Sequence, residues 1–384
     1  MSPQHQLSQL ETRVAGPSVA SRASQTSAPS GNVSHLSRPT VGPHVSWSAR
    51  LFGWLALGRS RSGVSSDHGE FPPLVSAQAD GKVRGSTRHQ SNDEVSGMTK
   101  RLINEDRYAF VLLKEAVDQI SDRDAQPAWN LLHQQMALIP AGSVPIVLCD
   151  GGHASSEVGG FFLDRYAVSN RQFRRFVQAG GYDSLEIWPQ EVWPSVSRFT
   201  DRKGRPGPRD WEDGKFPPGG ADHPVVGICW YEAMAFARWV GKRLPTAAEW
   251  QKAGGWPEQL SGGDCNRYPW GDLFDPERTN LLASKIGRTI RVDAFPAGAT
   301  PNGIFQMTGN VWEWLDDPLE TIPCPSGETF NPWKPMRRII GGAFNTYFAS
   351  EATCRFITGQ GELDRLDNIG FRCAVPLDQL RPLP

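Results

Sequence analysis

Eleven of the fourteen tryptophans in this 384-residue chain fall between Trp188 and Trp333, in a stretch dense in glycine and proline. That combination resists long regular elements. Glycine loses the most conformational entropy on folding and proline removes a backbone donor. An indole, by contrast, buries a large apolar area and asks for a single hydrogen-bond partner. Such a chain folds as loops pinned by aromatic anchors, with short helices and strands between them. The expected class is therefore α+β, irregular and rich in loops.

The chain divides into three parts. Residues 1–98 read as a disordered Ser/His/Gly/Pro-rich tail: the first hundred positions hold 19 serines and five of the eight histidines. Too few large apolar groups are present there to offset chain entropy. The histidines at 5, 35, 44, 68 and 89 share no spacing, so no preformed metal site is expected. Residues 136–384 read as the main domain, and residues 99–135 as a helical segment packing on it.

Charge sets limits on partners. Lys and Arg number 40 and Asp and Glu 41, a net charge of −1, which argues against nucleic acid as the partner. The apolar run "WSARLFGWLALG" (Trp47–Gly58) contains Arg50 and is far shorter than the roughly 20 residues of a membrane span. It reads as a sticky piece of the tail, so no transmembrane segment is expected. The six cysteines (149, 229, 265, 324, 354 and 373) form no CxxC and no zinc-like pairing with histidine. They read as reduced thiols, and cytoplasm is the default compartment. Oligomeric state is left open.

In the helical segment Tyr108, Val111, Leu112, Ala116 and Ile120 recur at three and four, and two helices are expected, joined around Asp122–Gln126. Further on, Ser169–Gln172 and Thr246–Glu249 each spell a capping box. Val168 and Phe173 suit the staple of the first, and glycine pairs at 180–181 and 254–255 suit the stops. "HPVVGICW" reads as a buried strand feeding a helix over Tyr231–Val240. "NVWEW", "RRIIGGAF" and "NIGFRCAV" read as short strands.

Several motifs in one order carry a resemblance. They are "HPVVGICWYEAMAFARWVGKRLPTAAEWQKA", "YPWGD", "VDAFPAGATPNGIFQMTGNVWEW", "IIGGAF" and "NIGFRCAV". With these, the region from about Met136 to Pro376 resembles the formylglycine-generating enzyme, or sulfatase-modifying factor, family. The resemblance implies a loop-rich variant of the C-type lectin fold. The best-known members oxidise a cysteine of a substrate protein with oxygen and a copper ion held by two cysteines. Those cysteines fall just after a "GGSY" segment, where two thiolates suit a soft ion.

Here that segment reads "GGAFNTYFASEATC". Counted forward from Gly341-Gly342, the two cysteine positions become Thr346 and Glu351. Counted back from Cys354, the second becomes Ala349. Neither register supplies the pair, and Ala343 replaces the family's serine. The family's copper chemistry is therefore not expected. Cys354 and Cys373 match positions that form disulfides in the family, but the partner positions are Ala237 and Ala253, so buried thiols are expected in place of those bridges, with a direct 354–373 bridge as the alternative if the Cα geometry suits it. A second branch of the family uses non-heme iron bound by clustered histidines of an added helical domain. The helical segment here has His133 alone, so iron is not expected either. The resemblance further implies a structural calcium ion at Gln306, Gly309, Val311 and Glu313, whose oxygens suit a hard cation. A second calcium site, at Asn280 and Leu281, is not expected.

Other candidates read as structural. His223 reads as a satisfied histidine, and Arg243 and Arg372 as members of buried ion pairs. Asp316-Asp317 read as a carboxylate pair or a strand end. Trp188, Trp193 and Trp211 are candidates to rim a cleft. Three functional readings compete. The first is a family member lacking the cysteine pair, which binds a peptide or small molecule in a cleft floored by Asn345, Thr346, Tyr347 and Glu351. The second is a divergent oxygen- and metal-dependent oxidoreductase acting on a thiol or protein. The third is an assembly role for residues 1–140.

Overall fold

A computed structural model describes residues 92–147, 153–255, 266–319, 322–323, 329–330 and 332–382. The sequence readings of residues 1–91, and of Cys149, Cys265 and Cys324, lie outside the described residues.

Helix α1 (Asn92–Asn104) begins before the expected Thr99. The chain then turns at Asp106, held left-handed at φ 61°, into a single turn at Ala109–Leu112. Helix α2 (Asp122–Gln135) comes next, capped by Ser121, whose Oγ accepts from Asp124 N at 3.2 Å. The predicted stripe of Tyr108, Val111, Leu112, Ala116 and Ile120 is buried throughout. It rides on broken turns rather than on one helix, because Leu113 is extended and bridges Leu380. Arg381 N donates to Leu112 O at 2.8 Å, so a distant strand-like segment takes the carbonyl that a helix would have used. Arg107 ties this region to the domain: its Nε donates to Trp239 O at 2.8 Å, and its guanidinium lies over the Trp239 and Phe110 rings.

Two sheets organise the main domain. β1 (Met136–Ile139), β4 (Phe161–Asp164) and β11 (Ala374–Pro376) form an antiparallel sheet in the order β1-β4-β11. β5 (Trp312–Pro318), β8 (Met336–Ile340), β9 (Ile357–Gly361) and β10 (Ile369–Gly370) form the second, in the order β10-β5-β8-β9. Within it β10 runs parallel to β5 and the other pairs are antiparallel. The hairpin β2 (Gly142–Val147) with β3 (His153–Val158), and the small pair β6 (Ile322–Pro323) with β7 (Thr329–Phe330), complete the strands. "NIGFRCAV" is thus two strands, not one, interrupted at Phe371–Cys373.

Both capping boxes form. Ser169 Oγ accepts from Gln172 N at 3.3 Å while Gln172 Oε1 accepts from Ser169 N at 3.0 Å, opening α3 (Asn170–Gln178). Thr246 and Glu249 make the reciprocal pair at the start of α5 (Ala247–Gly255). Helix α4 (Trp230–Trp239) lies between them. The strand expected over "HPVVGICW" does not form. Gly227 adopts φ 70° and donates to Leu366 O, which ends the extension, although Val225 and Ile228 are fully buried. Extended, apolar and buried is the signature of a strand, but here loops supply the partners.

The main core packs Phe173 against Phe236, stacked at 5.4 Å, with Phe371 edge-on to both. Trp188 and Trp211 belong to this core at 2% and 1% exposure, so they do not rim a cleft. Trp188 Nε1 donates to Gly181 O and Trp211 Nε1 to Asn170 Oδ1, which anchors the loop over 183–216. Trp193 alone of the three reaches the surface. Among the described residues, no helix is long and apolar enough to cross a membrane.

Candidate functional site

The segment after β8 is shaped by Gly341 and Gly342, at φ 99° and 75°. A Cβ on Gly342 would stand 2.6 Å from that of Ala352, and one on Gly341 would meet Met307 O at 3.1 Å. Only glycine permits both the turn and the close approach. Gly341 O accepts from Gly309 N at 2.8 Å, which locks the turn to the loop before β5.

Thr346 lies beneath the surface at 6% exposure. Its Oγ1 accepts from Ala343 N at 2.8 Å, its own N donates to Ala343 O, and its carbonyl accepts from Leu282 N. The hydroxyl closes this turn by accepting from Ala343 N. Tyr347 and Phe348 stand outward at 73% and 59% exposure, edge to face with centroids 4.9 Å apart. Asn345 is exposed and accepts from Asn368 Nδ2 at 3.1 Å. Trp312 N donates to Asn368 O, and the Trp312 ring lies 6.2 Å from that of Phe356, itself partly exposed. Glu351 sits half-buried on the turn Ala349–Ala352, and Ala349 O accepts from Tyr268 Oη. The structure therefore brings Asn345, Tyr347 and Glu351 to one short surface segment and sets Thr346 under it.

Phe348 belongs with this surface, and Asn368 joins it through Asn345 with the buried Trp312 behind, but none of the three is among the predicted site residues. The first indole of "GNVWEW" and the asparagine of "NIGFRC" lie inside motifs that carry the family resemblance. Their convergence depends on β10 pairing with β5, which no local pattern announces.

Under the segment lies a buried charged core. Arg372 donates Nε and Nη2 to Glu313 Oε2 and Oε1, both at 2.7 Å, and Trp250 Nε1 donates to Oε2 at 2.7 Å. Arg372 also reaches Asp164 O and Phe305 O, each at 2.9 Å. Both side chains of the pair are almost wholly buried. This bears on the calcium expectation. Gln306 Oε1 accepts from Asn310 Nδ2, Gly309 O accepts from Val311 N, and both Glu313 oxygens face a guanidinium. Arg372 already supplies the positive charge that a buried carboxylate needs. These residues do not fit as a calcium cradle. At the second position, Asn280 Nδ2 donates to Arg288 O and Asn310 Oδ1. Among the described residues, no three His, Cys, Asp or Glu side chains come together to hold a metal.

The remaining candidates take structural places. Arg243 meets Glu249 at 2.5 and 2.7 Å. His223 Nδ1 lies 3.2 Å from Thr289 Oγ1. Asp317 Oδ2 accepts from Ala247 N at the start of α5, so this residue caps a helix. Cys354 and Cys373 are buried thiols, not disulfide partners. Burial pushes the Cys373 thiol pKa well up, with the nearby Asp164 carboxylate adding to it, so it stays protonated and unreactive.

The sequence model of the sulfatase-modifying factor enzyme 1-like domain matches residues 122–377, about two thirds of the chain. The chain belongs to this family. The sulfatase-modifying factor fold accounts for the mixed, loop-rich architecture of the two sheets and their connections. Among relatives, hercynine oxygenase of Mycobacterium tuberculosis is 36% identical over 181 residues, covering 44% of this chain and 40% of that protein. Formylglycine-generating enzyme of Mus musculus is 30% identical over 293 residues, covering 63% of this chain and 75% of that protein. The solved structure of PvdO from Pseudomonas aeruginosa superposes with a TM-score of 0.44 at 20% identity, covering 63% of this chain and 94% of that one. The match thus spans less than half of the hercynine oxygenase.

Proposed function

We propose that this sulfatase-modifying factor domain binds a peptide or small molecule on the surface carrying Asn345, Tyr347, Phe348 and Glu351, and does so without the family's copper chemistry. One observation carries this reading. The positions that align with the cysteine pair hold Thr346 and either Glu351 or Ala349, and the Thr346 hydroxyl is tied to Ala343 N. What the segment offers outward is an aromatic pair beside an amide and a carboxylate. Exposed aromatics of this kind add contact area at low entropic cost, and the polar groups give orientation.

A peptide library selected on the full-length protein, followed by calorimetry on the enriched sequences, tests it. Binding that weakens in a Tyr347→Ser/Phe348→Ser variant supports the reading. Enriched sequences that bind this variant equally well would remove it.

The second reading is an oxygen- and metal-dependent oxidoreductase acting on a thiol or protein. It is favoured by the identity to a hercynine oxygenase and a formylglycine-generating enzyme. Anaerobic titration with Cu(I) and Fe(II), followed by oxygen-uptake assays with thiols, separates the two. Stoichiometric metal binding with oxygen consumption would put the second reading in place of the first.

A further inference from the structure

A cavity of about 330 Å³ opens where the segment before β1 meets the main domain. Its charged walls come from three places: Asp106 and Tyr108 on the bend after α1, Arg171 and Arg175 on α3, and Asp164 and Lys242 from β4 and the turn after α4. Asp222 completes the set, giving three cations and three carboxylates around one small space. At the deep end Lys242 Nζ donates to Asp164 Oδ1 at 2.7 Å and to Tyr108 Oη at 3.0 Å, with both charged side chains about nine-tenths buried. Nearer solvent, Arg175 pairs with Asp106, and Arg171 donates Nε and Nη2 to Asp222 Oδ1.

Two features separate this arrangement from an ion-pair cluster that only holds the fold together. First, one outer pair is singly bonded, although Asp222 is held on both oxygens, by Arg171 at Oδ1 and by Arg291 Nη1 at Oδ2. The Arg175 bond uses Nη1 and Asp106 Oδ2, a single contact between two side chains that both line the cavity. A structural Arg–carboxylate pair is commonly bidentate, as Arg372–Glu313 is. Second, Asp106 is presented from a left-handed backbone position, a conformation found disproportionately at ligand clamps.

The balance of charge selects the ligand. An ion of one sign entering such a space meets a like charge as close as its partner, whereas a molecule carrying both signs satisfies each wall. We infer that this cavity binds a small zwitterion of amino-acid or dipeptide type, its carboxylate on Arg175 and its ammonium on Asp106. The volume lies at the small end of ligand sites. Because Asp106 belongs to the bend after α1 and Arg175 to α3, the ligand also clamps that bend to the main domain. The site is separate from the aromatic surface, and its test is independent of the peptide-binding reading.

The experiment is calorimetry on the full-length protein with L-alanine and L-alanyl-L-alanine. Its controls are L-alaninamide, which lacks the carboxylate, propionate, which lacks the ammonium, and inorganic phosphate. Saturable binding of a zwitterion is expected, weakened roughly tenfold or more by removal of either charge and by Arg175→Gln or Asp106→Asn. Tyr347→Ser leaves it unchanged. Amide exchange over residues 106–110 slows when the zwitterion is added, a readout that stands even if a variant fails to fold. No binding up to about 10 mM, equal affinity for propionate or phosphate, or full affinity in a folded Arg175→Gln variant each overturns the inference.

Discussion

Arg372 and Glu313 meet through two parallel hydrogen bonds of 2.7 Å in a part of the core closed to solvent. Removing one partner leaves the other charged and alone. Glu313→Gln or Arg372→Met is therefore expected to cost about 3–5 kcal/mol in urea unfolding. Since the guanidinium is the counter-charge, a chelator should leave the melting temperature of the wild-type protein unchanged. A substantial fall on chelation would show that a cation, and not Arg372, neutralises this carboxylate.

The two capping boxes predict smaller and independent losses. Ser169→Ala and Thr246→Ala each leave a helix-terminal N–H without its acceptor, at a cost of about 1 kcal/mol apiece. The two sites share no partner, so the double variant should lose the sum. A double variant no less stable than either single one would contradict this.

Thr346 and Tyr347 are neighbours with opposite roles, and substitution should separate them. Thr346→Val keeps the shape but takes the acceptor from Ala343 N, costing about 1–3 kcal/mol in stability. Tyr347→Ser removes only an exposed ring, with a stability change expected within about 0.5 kcal/mol. Paired urea curves would reveal a reversal of this order.

His223 gives the fold a pH dependence of known sign. Burial, with Arg288 and Arg291 nearby, holds its pKa below the usual imidazole value of 6.5. The unfolded chain takes up a proton near about pH 6.5, while the folded chain does so only at lower pH. The contribution to stability is thus fully present above that pH and is lost as pH falls through the folded value. His223→Gln should flatten the slope of unfolding free energy between about pH 6.5 and 5. An unchanged slope would assign it to other groups.

How much of this was legible in the sequence depended on the range of the interactions involved. The capping boxes at Ser169 and Thr246 are three-residue devices, and they form as read. The spacing of the stripe from Tyr108 to Ile120 shows that it is buried but not that it rides on broken turns, because Leu113 is held extended by a bridge to Leu380. "HPVVGICW" fails for a related reason: the N–H groups of Val225 and Gly227 donate to Val168 and Leu366 in loops, and alternation carries no information about them. At the candidate site, the family resemblance implies that Thr346 and either Glu351 or Ala349 stand where the cysteine pair would be. That Thr346 turns inward while Tyr347 turns outward could not be read from the sequence, since it results from the φ angles of Gly341 and Gly342 and from the contact with Leu282.

The segment from β10 to Arg381 has a consequence for the order in which the fold can be assembled. β10 completes the sheet of β5, β11 completes that of β4, and Arg372 between them bonds the Asp164 carbonyl 208 residues earlier. Arg381 bonds Ile120 O across 261 residues. A nascent chain halted before Ile369 would carry both sheets with an open edge and Glu313 without its counter-charge. Closure of the domain therefore waits for residues 369–381 to be made, and until then the polypeptide depends on whatever shields those edges from other chains.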